Sequence, residues 1–111
     1  MNETRSALVV DDERDIRELL VLTLGRMGLR ISTAANLAEA RELLASNPYD
    51  LCITDMRLPD GNGIELVSEI AQHYPRTPVA MITAFGSMDL AVEALKAGAF
   101  DFVSKPVDIA V

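Results

Sequence analysis

Short apolar runs alternate with longer stretches of helical period along the whole chain. The first run is "ALVV" (residues 7–10), after which Ile16, Leu19, Leu20, Thr23, Leu24 and Met27 recur on one helix face. Gly28 closes that helix, because a glycine enters the left-handed conformation of a helix end without steric cost. "RISTA" follows, more polar than the first run and suited to an edge strand. Leu37, Ala40, Leu43 and Leu44 predict a second helix over residues 37–45, stopped by "SNP". "LCIT" is the third strand. The loop "RLPDGNG" behind it carries Pro59 at the second position of a β-turn and Gly61 at its end. Ile64, Val67, Ile70, Ala71 and Tyr74 mark a third helix, "PRTP" breaks it, and "VAMI" is the fourth strand. Ser87 suits the N-cap of a fourth helix, "MDLAVEALKAG", which closes at Gly98. "FDFVS" is the fifth strand, and a fifth helix would begin after Pro106.

Strand and helix in regular alternation imply a parallel sheet covered by helices on both faces. The strands read as nearly unbroken apolar runs, as they must when both faces are buried. The fold class is therefore α/β, a doubly wound five-stranded parallel sheet in the flavodoxin-like order 2-1-3-4-5. At 111 residues the chain is one domain, 1–111, large enough for a hydrophobic core without disulfides or structural metals. The sequence stops at Val111, before or within the expected fifth helix. Such a truncation would expose apolar surface beside the first strand and favour association.

Composition narrows the field further. The chain is 50% hydrophobic and 24% charged, an ordinary globular balance. The lone cysteine, Cys52, lies within an apolar run, which excludes an intrachain disulfide and suggests a buried thiol in a reducing compartment. No apolar stretch reaches membrane-spanning length, and "MNETRS" lacks the features of a signal peptide, so the cytoplasm is the expected location. The net charge is -7 and the basic residues are scattered, which argues against direct nucleic-acid binding by this segment.

In doubly wound sheets the functional crevice lies outside the carboxyl ends of the strands. The residues that follow the apolar runs are Asp11 and Asp12, then Asp55, Thr83 and Lys105. Adjacent strands would bring them together. Converging carboxylates favour a hard divalent cation, and octahedral oxygen coordination with retained waters fits Mg²⁺. An ammonium and a hydroxyl are the groups wanted around a phosphoryl oxygen. An aspartate can itself be the nucleophile, and Asp55, alone on the central strand, is the candidate.

The motifs "VVDDE", "LCITDMRLPDGNG", "MITAFGS" and "AGAFDFVSKPVD", in this order, resemble the receiver domains of two-component response regulators. The resemblance covers essentially the whole chain. "ITAFGSMDLAVEALKAGAFDFVSKP" is most similar to the NtrC-like subfamily, which works with the sigma-54 RNA polymerase, and the texture of "DERDIRELLVLTLGRMGL" resembles its type IV pilus regulators. The resemblance implies that Asp55 accepts a phosphoryl group from a sensor histidine kinase. It implies that Asp12 ligates Mg²⁺ directly, Asp11 through water, and that Asp55 and the backbone carbonyl of Arg57 complete the protein ligands. Lys105 would pair with the acyl phosphate, Thr83 would move to bond it, and Phe102 would swing inward behind Thr83. Phosphorylation adds roughly -1.5 to -2 charges, enough to bias a two-state surface formed by the fourth helix and fifth strand. The output would be altered homodimerisation of a larger regulator, with DNA and sigma-54 RNA polymerase reached through further domains.

Plainer readings compete with these. Asp11 and Asp12 could simply cap the first helix, and Asp12 suits that position in any case. Paired with Asp55 and Lys105, capping alone is the weaker explanation. Phe102 could be ordinary core, and His73 reads as an exposed, inert helix residue. Glu65, Glu69 and Glu93 read as solvated helix faces. Two other functions share the fold. A haloacid dehalogenase-type phosphohydrolase would carry a D-x-D nucleophile motif after the first strand and a cap domain, where this chain has "DD" and no cap. A flavin carrier would need a hydroxyl- and glycine-rich phosphate loop where this chain has "DDERD".

Overall fold

In the computed structural model, residues 5–83 and 88–104 are described. The central sheet contains β1 (Ser6–Val10), β2 (Arg30–Ala34), β3 (Leu51–Asp55), β6 (Val79–Thr83) and β7 (Asp101–Ser104). Its order is β2-β1-β3-β6-β7, with every neighbouring pair parallel. This is the doubly wound topology read from the sequence. Two further strands, β4 (Arg57–Leu58) and β5 (Gly61–Asn62), form a small antiparallel hairpin inside the loop after β3. The sequence pattern predicts only a loop for this segment. Pairs so short leave no hydrophobic period to read.

The helices are α1 (Arg14–Arg26), α2 (Leu37–Ser46), α3 (Gly63–His73) and α4 (Met88–Ala97). Alternate side chains of β1 explain how both sheet faces are covered. Ala7 and Val9 pack with Leu20 and Leu24 of α1, while Leu8 and Val10 join the larger core with α2 and α3. Leu66, Val67 and Ile70 of α3 are fully buried in that core, and Ala71 is exposed rather than inward. The α3 stripe is therefore turned slightly from the one its apolar spacing suggested. Phe100 is outside β7 and 58% exposed, so the fifth strand begins one residue later than expected.

Helix ends follow the local chemistry. Gly28 has φ 86°, and the amides of Gly28 and Leu29 donate to the carbonyls of Gly25 and Leu24, closing α1 in a Schellman arrangement. Gly98, at φ 126°, closes α4 in the same way through Leu95 and Ala94. At the start of α3, Asn62 accepts from the Ile64 amide at 2.8 Å while Glu65 accepts from the Asn62 amide at 2.9 Å. That capping box was present in the sequence as an Asn followed three residues later by a Glu. Glu65 is thus a structural cap rather than only a solvated acid. Glu69, likewise, pairs with Arg41 of α2 at 3.1 Å. Among the described residues, no helix is long and apolar enough to cross a membrane. Ser87, expected to cap α4, lies outside the described residues.

Candidate functional site

The register of the sheet decides which residues meet at its carboxyl edge. Val10 of β1 pairs with Thr54 of β3, so the next residues, Asp11 just past β1 and Asp55 at the end of β3, come side by side at that edge. Asp55 in turn pairs with Ile82, which puts Thr83 one step further along the adjoining strand. Thr83 pairs with Ser104, the last residue of β7. Lys105 follows Ser104 in the chain and lies outside the described residues.

Asp11 is held at a tight corner between β1 and α1. Its amide donates to the Ala34 carbonyl at 3.0 Å, and its carbonyl accepts from the Arg17 guanidinium at 2.7 Å. Its carboxylate accepts from the Glu13 amide at 2.8 Å, beside the first turn of α1. The N-cap position of α1 belongs to Glu13, which makes no side-chain cap bond. Asp12 therefore does not take the capping role expected of it, and the Asp11 carboxylate instead closes an Asx turn onto Glu13 just ahead of the helix. Asp12 is left exposed at the mouth of the crevice.

Asp55 is fixed from both sides and from below. The Thr54 hydroxyl donates to its carbonyl at 3.0 Å, and the Met56 amide continues the ladder to the Ile82 carbonyl at 3.0 Å. The Gly63 amide donates to the Met56 carbonyl at 2.6 Å. A Cβ on residue 63 would strike the Asp55 carbonyl oxygen and lie 3.0 Å from its carbon. Only glycine lets α3 start this close to the strand that carries Asp55.

The result is an acidic cluster of Asp11, Asp12, Glu13 and Asp55, in which one carboxylate oxygen from each residue lies within 4.8 Å of those of the others. Asp11 is fully buried and Asp55 is 6% exposed, while Asp12 and Glu13 face solvent. Carboxylates so close repel one another, and partial burial weakens the relief that water provides. A hard cation taking several carboxylate oxygens is the chemical complement of such a set. Three of the expected acids are thus brought together. Glu13 is a fourth, which the pattern of residues following the apolar runs does not single out although it stands in the same "DDE". Arg57 begins β4 two residues after Asp55. Phe102 is half-buried against the larger core and pairs with Met81 across β6 and β7.

Comparison with known proteins agrees with this geometry. Residues 7–111 match the response regulator receiver domain family. The chain is a member of that family. Over 105 residues the receiver domain is 67% identical to the response regulator protein PilR of Pseudomonas aeruginosa, covering 95% of this chain and 24% of that protein. Over 101 residues it is 43% identical to the DNA-binding transcriptional regulator NtrC of Escherichia coli, covering 91% of this chain and 22% of that one. The chain thus spans about a quarter of the length of these curated relatives. Among solved structures it resembles the beryllofluoride-activated NtrC4 receiver domain dimer, with a TM-score of 0.88 and 35% identity over 95% of this chain and 87% of that one. It also resembles a Burkholderia pseudomallei response regulator containing a phosphorylated aspartic acid, calcium ion and citrate, with a TM-score of 0.87 and 26% identity, covering 96% and 62% of the two chains. The receiver is a PilR- and NtrC-like signalling module, not a conventional enzyme, and the phosphohydrolase alternative has no support in these likenesses.

Proposed function

We propose that the receiver domain accepts a phosphoryl group on Asp55 from the phosphohistidine of a sensor histidine kinase. The observation that carries this reading is the meeting of Asp11, Asp12, Glu13 and Asp55 at the carboxyl edge of the sheet. The Asp55 carboxylate oxygen forms the new O–P bond while the N–P bond to the donor imidazole breaks and its electron pair returns to the ring. A donor set made of oxygen alone, most of it carboxylate, fits Mg²⁺. Asp11, Asp12, Asp55 and the Arg57 carbonyl would hold it. When bound, the ion would offset the negative charge of the phosphoryl oxygens. Asp11 contributes a fixed acid at a corner locked by Ala34 and Arg17. Lys105 supplies an ammonium to the phosphate, and Thr83 turns its hydroxyl toward it.

Phosphorylation then shifts the surface of α4 and β7, with Phe102 moving inward to fill the space left by Thr83. The shift requires only about 1–3 kcal/mol of coupling between site and surface. It alters homodimerisation of a larger regulator, of which residues 1–111 are a receiver segment, in the cytoplasm. DNA and sigma-54 RNA polymerase are engaged through other domains, and this acidic segment makes no nucleic-acid contact of its own. The test is incubation with Mg²⁺ and a small phosphodonor. The reading expects an acid-stable, alkali-labile adduct that Asp55→Asn abolishes; sustained hydrolysis of phosphate esters would favour a phosphohydrolase instead.

A further inference from the structure

The loop after β3 does not stand alone against the sheet. Asp60, at the turn between β4 and β5, reaches across to the start of α2. Its two carboxylate oxygens accept from the Leu37 amide at 2.8 Å and the Ala38 amide at 3.0 Å, partners 23 and 22 residues away in sequence. These are first-turn amides with no partner inside the helix, and a carboxylate there also suits the helix dipole. The same segment is anchored at its other end, because Ala34, at the end of β2, accepts the Asp11 amide. The loop itself is shut by the bond from the Gly63 amide to the Met56 carbonyl. A short circuit of bonds therefore runs from the Asp11 corner through Ala34 and the start of α2 to Asp60, and back along the hairpin to Asp55.

We infer that Asp60 is a positioning residue: by strapping the β4–β5 hairpin to the start of α2, it holds Asp55 and the Arg57 peptide in register with Asp11 and Asp12 for cation binding and phosphoryl acceptance. The inference rests on the proposed role of that cluster. Asp60 touches none of the reacting atoms. Its effect is to fix the spacing between two acid-bearing segments that the chain alone would leave independent.

A structural role and a positioning role separate by comparison with Asn36. The Asn36 side chain also bonds the first turn of α2, accepting from the Glu39 amide at 2.8 Å, but it is local to that helix. Mg²⁺ affinity measured by calorimetry, melting temperature, and the Mg²⁺-induced amide shifts of Asp11 to Glu13 are compared for the unaltered protein, D60A, D60N, N36A and D55N. Asp60→Ala is expected to weaken Mg²⁺ binding about tenfold, the lower end of the range for residues that support ligands. Asp60→Asn, which retains one acceptor oxygen, should fall between and serves if the alanine variant does not fold. Asn36→Ala should lower the melting temperature with its Mg²⁺ affinity unchanged within about twofold. Equal affinity in D60N, D60A and the unaltered protein would overturn the positioning role while the receiver reading stands. So would a loss in N36A matching that in D60A. If the unaltered protein binds no Mg²⁺ and D55N behaves identically, the reading of the cluster fails first and the inference falls with it.

Discussion

The substitution Gly63→Ala sets two effects of opposite sign against each other. Gly63 is the first residue of α3, and by helix propensity alone alanine should be favoured by about 1 kcal/mol. The packing says the reverse. The added Cβ would collide with the Asp55 carbonyl oxygen and sit 3.1 Å from the Met56 Cα. All these are backbone atoms of the central strand and its continuation, so no side chain can rotate away. Forcing a methyl group into a filled site costs about 3 kcal/mol at the upper end of typical overpacking. The net expectation is destabilisation by about 2 kcal/mol, which for a domain of this size lowers the melting temperature by about 8 °C. Gly25→Ala is the matched control, because nothing lies within 4 Å of the position its Cβ would occupy in α1. It should stabilise by about 0.5–1 kcal/mol. Urea titration followed by circular dichroism reads both, through the midpoint and slope. Equal or greater stability of Gly63→Ala would refute the claim that α3 and the Asp55 strand are in backbone contact.

Three other outcomes are expected. The Tyr49 hydroxyl is buried without a hydrogen-bond partner among the described residues, so Tyr49→Phe should be neutral or stabilise by up to about 1 kcal/mol; marked thermal destabilisation would reveal an unseen partner. The Leu37 amide, with that of Ala38 adding to it, holds the Asp60 carboxyl below its ordinary 3.8. A folded value below the unfolded one means the stabilisation is complete above 3.8 and disappears as the pH falls through the lower folded value. The gap in urea midpoint between the unaltered protein and Asp60→Asn should therefore close in acid, and a gap that persists unchanged would contradict this. Burial pushes the Cys52 thiol up to about 12. At roughly pH 8 it should resist thiol reagents until the protein unfolds, and rapid labelling of the native state would count against its burial.

The parts legible in the sequence were those with a local period or a fixed position. The β2 strand "RISTA", the stops at Gly28 and Gly98, and the order of the principal strands follow from alternation, left-handed glycines and the chirality of βα units. The acids of the site were visible because they directly follow apolar runs whose register aligns them. Other features depend on bonds between distant residues. The hairpin of β4 and β5, the strap from Asp60 to α2 and the approach of Gly63 to Asp55 leave no mark on hydropathy. The bond that the Glu13 amide makes to Asp11 rather than Asp12 is of another kind. Both suit a helix start, and only the tight corner after β1 decides which carboxylate turns back to the helix.

The site as a whole is tested most directly by locating the phosphoryl group. After treatment with Mg²⁺ and a small phosphodonor, borohydride reduces an aspartyl phosphate to homoserine, which peptide mass spectrometry can position. Homoserine at residue 55, absent without Mg²⁺, is the expected result. Its appearance at Asp11, Asp12 or any other acid, with Asp55 intact, would contradict the account.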